Sequence, residues 1–162
     1  LRPLRLTQLA ESTRKHNMAE QLIHIWAGMS QNKTEEQFYK YFDQSKFLKD
    51  NNSFNTDEAY PRNAPDFQLR SQFSKDIGKE YDYDADWLTI YHGRKRISIQ
   101  AAIEELPIWD DQTEVDIYQA CISKGISTVN SILCYADDEL SIDNPLENYN
   151  DMIYIGSFNN PR

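Results

Sequence analysis

The alternation of apolar and polar positions divides the chain into short segments of helical or strand period. Residues 23–26, Ile-His-Ile-Trp, are an apolar run closed by Gly28 and predict a first strand. Thr34-Glu-Glu-Gln37 has the form of a capping box, in which two side chains satisfy backbone N–H groups at a helix start. Phe38, Tyr41 and Phe42 follow at i, i+3 and i+4, so the box opens an amphipathic helix over 34–43. Residues 45–65 are polar, with Asn51, Asn52, Ser53, Asn55, Pro61 and Pro65, and predict a long mobile loop. Asp66 is placed to cap a second helix. Its Leu69, Phe73 and Ile77 recur four apart, Lys75 sits in its last turn and Gly78 stops it.

Residues 87–91 are aromatic and β-branched, and predict a second strand. Ser98 caps a third helix with Ile99, Ala102, Ile103 and Leu106 inward, stopped by Pro107. Thr113 is the expected cap of a fourth, with Val115, Tyr118 and Ile122 on its inner face. Glu114 and Asp116 near its start and Lys124 at its end suit the helix dipole. Residues 128–135 predict a third strand, with Val129, Ser131, Leu133 and Tyr135 on one face and Asn130, Ile132 and Cys134 on the other. Residues 152–158 predict a fourth, expected to pair antiparallel with the third across the 137–151 connection. The order β-α-α-β-α-α-β-β predicts an α+β fold, a small, mainly antiparallel sheet with about four packed helices.

The 162 residues are one domain's worth of chain, with 40% hydrophobic and 27% charged residues, an ordinary globular balance. Met18 is the first methionine, which sets 18–162 as the expected single domain and 1–17 as a basic N-terminal extension. An amphipathic helix over 4–14 is the other reading of that segment. The chain has no apolar run of membrane-spanning length and no secretory signal pattern. Cys121 and Cys134 lack metal-ligand spacing, so buried reduced thiols and a cytoplasmic setting are expected, with a disulfide between them as the alternative. The five glycines never cluster, which excludes a phosphate loop or dinucleotide fingerprint.

Charge changes the picture most. Residues 1–96 carry 15 basic and 14 acidic side chains, while 97–161 carry 12 acidic and one basic, Lys124, a net of −11. Such a half repels nucleic acid and membrane surfaces and either draws in basic partners or simply keeps the protein soluble. Asp82-x-Asp84-x-Asp86 opens like a calcium loop, but Trp87 stands where the turn glycine belongs and Gly93 where the bidentate Glu belongs. It reads as a polar turn, and no cofactor or metal is expected. His24 reads as a packed strand residue, and His92 has no nearby nucleophile in the sequence. Arg94-Lys95-Arg96 is too short for a nucleic-acid surface and reads as a solvated loop. What remains is acidic: Asp137, Asp138, Glu139, Asp143, Glu147 and Asp151, with no basic residue among them. Together with Asp110, Asp111 and Tyr149 they are the candidate partner-binding residues, with Trp109 as a second aromatic anchor. Each taken singly also reads as part of a solvated loop. Trp26, Phe73, Trp87 and Phe158 are assigned to the core, and Gly156 to a bulge or close contact.

Several stretches together resemble bacterial immunity protein family 22. They are His24-Ile-Trp-Ala-Gly28 with the 34–43 helix, Ser71-Gln-Phe-Ser-Lys-Asp-Ile-Gly78, Tyr83-Asp-Ala-Asp-Trp87, Val129-Asn-Ser-Ile-Leu-Cys-Tyr135 and Tyr154-Ile-Gly-Ser-Phe158. The resemblance implies a cognate antitoxin of a polymorphic toxin, including those of contact-dependent growth inhibition. It implies cytoplasmic binding to a toxin domain, many of which are nucleases, and no catalytic residues of its own. The acidic half would then cover a basic substrate-binding face. A carboxylate-dependent hydrolase and a general protein-binding adaptor are the alternatives.

Overall fold

The computed structural model describes residues 20–161, and the expected extension over 1–17 lies outside them. Within this range run β1 (Glu20–Gly28), α1 (Glu35–Lys40), α2 (Ser45–Thr56), α3 (Gln72–Asp76), β2 (Leu88–Ser98), α4 (Ile99–Ile103), α5 (Asp111–Ser123), β3 (Thr128–Ala136) and β4 (Met152–Pro161). Short 3₁₀ turns lie at Phe67–Leu69 and Ala85–Trp87. The fold is α+β, with the four strands in one antiparallel sheet of order β2-β3-β1-β4.

That order corrects the expected β3–β4 hairpin. β1 lies between the two strands, and the 137–151 connection carries the chain across it. The reason is burial. Ile23, Ile25 and Ala27 point to one face of β1 and His24 and Trp26 to the other, and all five are buried. A strand apolar on both faces belongs inside a sheet covered on both sides. One cover is aliphatic: α4 and α5 bring Ile99, Ala102, Ile103, Leu106 and Ile117 onto the sheet. The other is aromatic: Phe38, Phe42, Phe73 and Tyr149 surround Trp26. Cys121 and Cys134 are free thiols in the aliphatic layer, where burial pushes both up to about 12.

Local chemistry sets the helix starts. The Thr34 hydroxyl accepts from the Gln37 N–H at 3.1 Å and the Gln37 side chain accepts from the Thr34 N–H at 2.9 Å, which is the capping box. Ser98 caps α4 by accepting from Ala101 N–H. The helix expected from Asp66 to Ile77 is broken at Ser71. Asp66 caps only the 3₁₀ turn, while the Ser71 N–H and hydroxyl both donate to the Asp82 carboxylate at 2.7 Å, and Ser71 caps α3. Asp84 caps the next turn, so the Asp82–Asp86 stretch is the polar turn expected of it.

Four further expectations are corrected. Residues 45–56 are helix α2, not loop. Phe47, Asp50, Asn51 and Phe54 form its inner stripe at i, i+3, i+4 and i+7, and two of them are polar, which hides the period. Asp50 supplies the reason. Its carboxylate accepts from the Asp66 N–H at 2.7 Å, the Tyr60 hydroxyl at 2.8 Å and Arg62 at 2.9 Å, wrapping the following loop onto the helix. Second, Asp110 rather than Thr113 caps α5, and the inner face is Thr113, Ile117 and Cys121. Val115, Tyr118 and Ile122 face outward, 44%, 40% and 42% exposed. Third, Trp87 is 47% exposed on its 3₁₀ turn and lies outside the core, unlike Trp26 and Phe73, which are fully buried. Fourth, Arg94-Lys95-Arg96 lies within edge strand β2, where the ladder to β3 is interrupted between His92 and Ile97. Exposed cations there discourage edge-to-edge pairing.

Two glycines are fixed by geometry. Gly156, at φ +149°, sits at a bulge against β1, which leaves Ile155 as the extra residue. A side chain at Gly28 would place its Cβ 2.3 Å from the Asp151 carbonyl oxygen. This contact seats the tight turn at Asn150 and Asp151, both with positive φ, on the end of β1.

Candidate partner-binding surface

The nine candidate residues separate by what their side chains already hold. Asp110 accepts from the Thr113 N–H at 3.0 Å as the α5 cap. Asp137 pairs with Lys79 at 2.8 Å. Burial opposes its ionisation, yet the Lys79 ammonium and the Glu139 N–H hold its carboxyl below the usual range. Asp138 accepts from the Leu22 N–H at 2.8 Å, clasping the connection to β1. Asp151 pairs with Lys33 at 3.2 Å and accepts from the Ser30 hydroxyl at 3.3 Å. Tyr149 is fully buried against Trp26 and its hydroxyl donates to the Asn144 carbonyl at 2.7 Å, so it is not a surface anchor. Trp109 is exposed. The neutralising cations, Lys79 and Lys33, come from distant parts of the chain, which is why the acidic run looks unrelieved in sequence.

Asp111, Glu139, Asp143 and Glu147 are exposed, and among the described residues no hydrogen bond or ion pair engages their side chains. The fold gathers some of these residues and parts others. The Asp137 N–H donates to the Leu22 carbonyl, and Leu22 lies opposite Asn159, whose carbonyl accepts from Thr113 of α5 at 2.8 Å. Residues 110–111 and 137–139 therefore share one end of the sheet. Asp151 lies beside Gly28, six residues further along β1, which is about 20 Å away at strand rise. In the connection that joins them, Asp143 and Glu147 line one surface depression with Leu146, which is 95% exposed. Leu146 was not picked out in sequence, where it is one of several apolar residues, with Leu140, Ile142 and Tyr149, in the acidic run.

The two histidines among the described residues, His24 and His92, are held within the fold. The His24 Nε2–H donates to the Asp137 carbonyl at 3.1 Å and its Nδ1 accepts from the Tyr154 hydroxyl at 2.9 Å. His92 stacks on Phe38 with centroids 3.8 Å apart, and its Nδ1–H donates to the Ser131 hydroxyl at 2.8 Å. Burial lowers the pKa of both rings. Asp43, Asp50 and Asp137 are all held below the usual carboxylate range, the opposite of what a general acid needs. Among the described residues no group of three or more His, Cys, Asp or Glu is placed to hold a metal ion. None of their helices is long and apolar enough to cross a membrane.

The fold is thus a four-stranded sheet covered on both faces, with exposed carboxylates on α5 and in the 137–151 connection. The family model named Immunity protein 22 matches residues 23–160, nearly the whole chain, and the chain belongs to that family. The membership supports an immunity, or antitoxin, role for it. No curated protein and no solved structure matches the chain.

Proposed function

We propose that this protein binds a cognate toxin domain in the cytoplasm, as in contact-dependent growth inhibition, and neutralises it without chemistry of its own. The toxin is a basic nuclease, and the acidic flank covers its substrate-binding face. The supporting observation is the set of free carboxylates, Asp111, Glu139, Asp143 and Glu147, in a segment that carries one basic residue from 97 to 161. Unpaired carboxylates cost self-repulsion alone, and that cost is relieved by Lys and Arg of a partner. They stand in for substrate phosphates and form charge-assisted hydrogen bonds to the same cations.

Co-expression with the toxin domain encoded beside this chain tests the reading: the wild-type chain should restore growth. The triple variant Glu139→Lys, Asp143→Lys, Glu147→Lys should bind at least about tenfold more weakly, as removal of close charge pairs does elsewhere. Its melting temperature should stay at the wild-type value, because these side chains hold nothing within the fold. Cells that die despite abundant wild-type chain would refute the immunity mechanism.

A further inference from the structure

We infer that the outward face of α5, with the groove between α4 and α5, anchors an apolar-and-basic segment of the toxin; this rests on the toxin-binding reading above. Helix α5 carries two apolar stripes. Ile117 and Cys121 are buried on the sheet beside Thr113, with Ala120 packed against the same cluster. Val115, Tyr118 and Ile122 recur at i, i+3 and i+7 and so share the outer side, which on a surface helix is normally polar. A groove of about 570 Å³ runs beside them. Ile103 forms its floor, Val115 and Tyr118 one wall, and Glu104, Asp111 and Glu114 its rim. No basic side chain among the described residues lines it.

Charge selects the occupant. A second copy of this chain docked by a two-fold contact would set carboxylate rim against carboxylate rim. An aliphatic side chain flanked by Lys or Arg fits both features. Its apolar atoms pack on Ile103 and Tyr118, the cationic stems lie along the aromatic ring, and their heads reach Glu104, Asp111 and Glu114. Asp111 also belongs to the acidic end of the sheet, so the groove continues the surface that attracts the partner. A central aromatic anchor within a polar rim is the usual arrangement of an energetic hot spot. The free carboxylates draw the toxin in, and the groove holds it.

The test measures association and dissociation rates of full-length wild-type and Val115→Ser, Tyr118→Ala, Ile122→Ser chains, singly and combined, against the toxin domain encoded beside this chain. The combined variant should dissociate at least about tenfold faster, with an association rate within about twofold of wild type, since anchors act mainly on dissociation. Its melting temperature should be unchanged, because the three side chains are outside the core. If it nevertheless melts lower, the pair Glu104→Gln, Glu114→Gln carries the test, and this pair should weaken binding at wild-type stability. Wild-type dissociation in the combined variant, with toxin still bound, overturns the groove and leaves the immunity reading standing. Absence of any binding by the wild-type chain overturns both. A wild-type dimer in sedimentation that Tyr118→Ala dissolves makes the face a self-contact and overturns the inference.

Discussion

His24 shows how one buried residue ties stability to pH. A carbonyl can only accept, so the Asp137 oxygen fixes the proton on Nε2 and leaves Nδ1 to accept from Tyr154. Burial holds the ring below its ordinary value of 6.5, against the pull of Asp137 and Asp138. As pH falls through that value the unfolded chain takes up a proton that the folded chain refuses. Stability is therefore complete above the unfolded value and declines below it, by at most about 1.4 kcal/mol per pH unit for one group. His92, lowered first by burial, acts in the same direction. The urea midpoint should fall between pH 7.5 and 5, and His24→Gln should flatten part of that fall. A midpoint that rises on acidification would mean that the ring is charged in the fold. At this scale sequence placed His24 on its strand, but the carbonyl that fixes its tautomer lies 113 residues away. Long separations likewise hid Lys79 from Asp137 and Lys33 from Asp151.

Helix α2 carries the matching argument for elements. Phe47 is buried between Phe67 and Tyr81, and Phe54 packs on Tyr60, so the helix and the loop after it cover one another. Phe47→Ala should cost about 3 kcal/mol, the usual loss for a buried aromatic ring, measured by urea unfolding. Amide exchange should speed up within residues 45–69, and a loss under about 1 kcal/mol would detach this helix from the cooperative core. Local chemistry was partly legible here. Thr34 and Ser98 cap as their sequence context implies, because a cap needs only the next three residues. The cap at Ser71 was missed because Asp82, eleven residues on, holds it there. What failed was inside against outside. α2 turns Asp50 and Asn51 inward, and α5 has more apolar residues than one face can bury, so composition alone could not name its buried stripe. Strand order failed for a different reason, since a pairing partner is chosen by what both faces of a strand must bury, here those of β1.

For the molecule as a whole the division of charge matters more than its total. Residues 1–96 are nearly balanced and supply the cations, Lys33 and Lys79, that quiet Asp151 and Asp137. They also place Arg94-Lys95-Arg96 on β2, the edge strand opposite β4. The acidic half keeps its surplus near α5 and the 137–151 connection. Among the described residues the acidic surplus and this basic edge lie on different elements, so the basic toxin proposed above would meet an attractive surface and a repulsive edge. Such a field orients the encounter as well as hastening it. Raising ionic strength from about 0.01 M to about 1 M shortens the screening length from about 30 Å to about 3 Å. Association with the toxin domain should then slow by at least about tenfold, with dissociation changing far less. Replacing Arg94, Lys95 and Arg96 by Gln should leave the dissociation rate alone while altering association at low salt only. If stopped-flow rates are indifferent to salt, the partner finds this protein by shape rather than by field, and the surplus of carboxylates serves solubility.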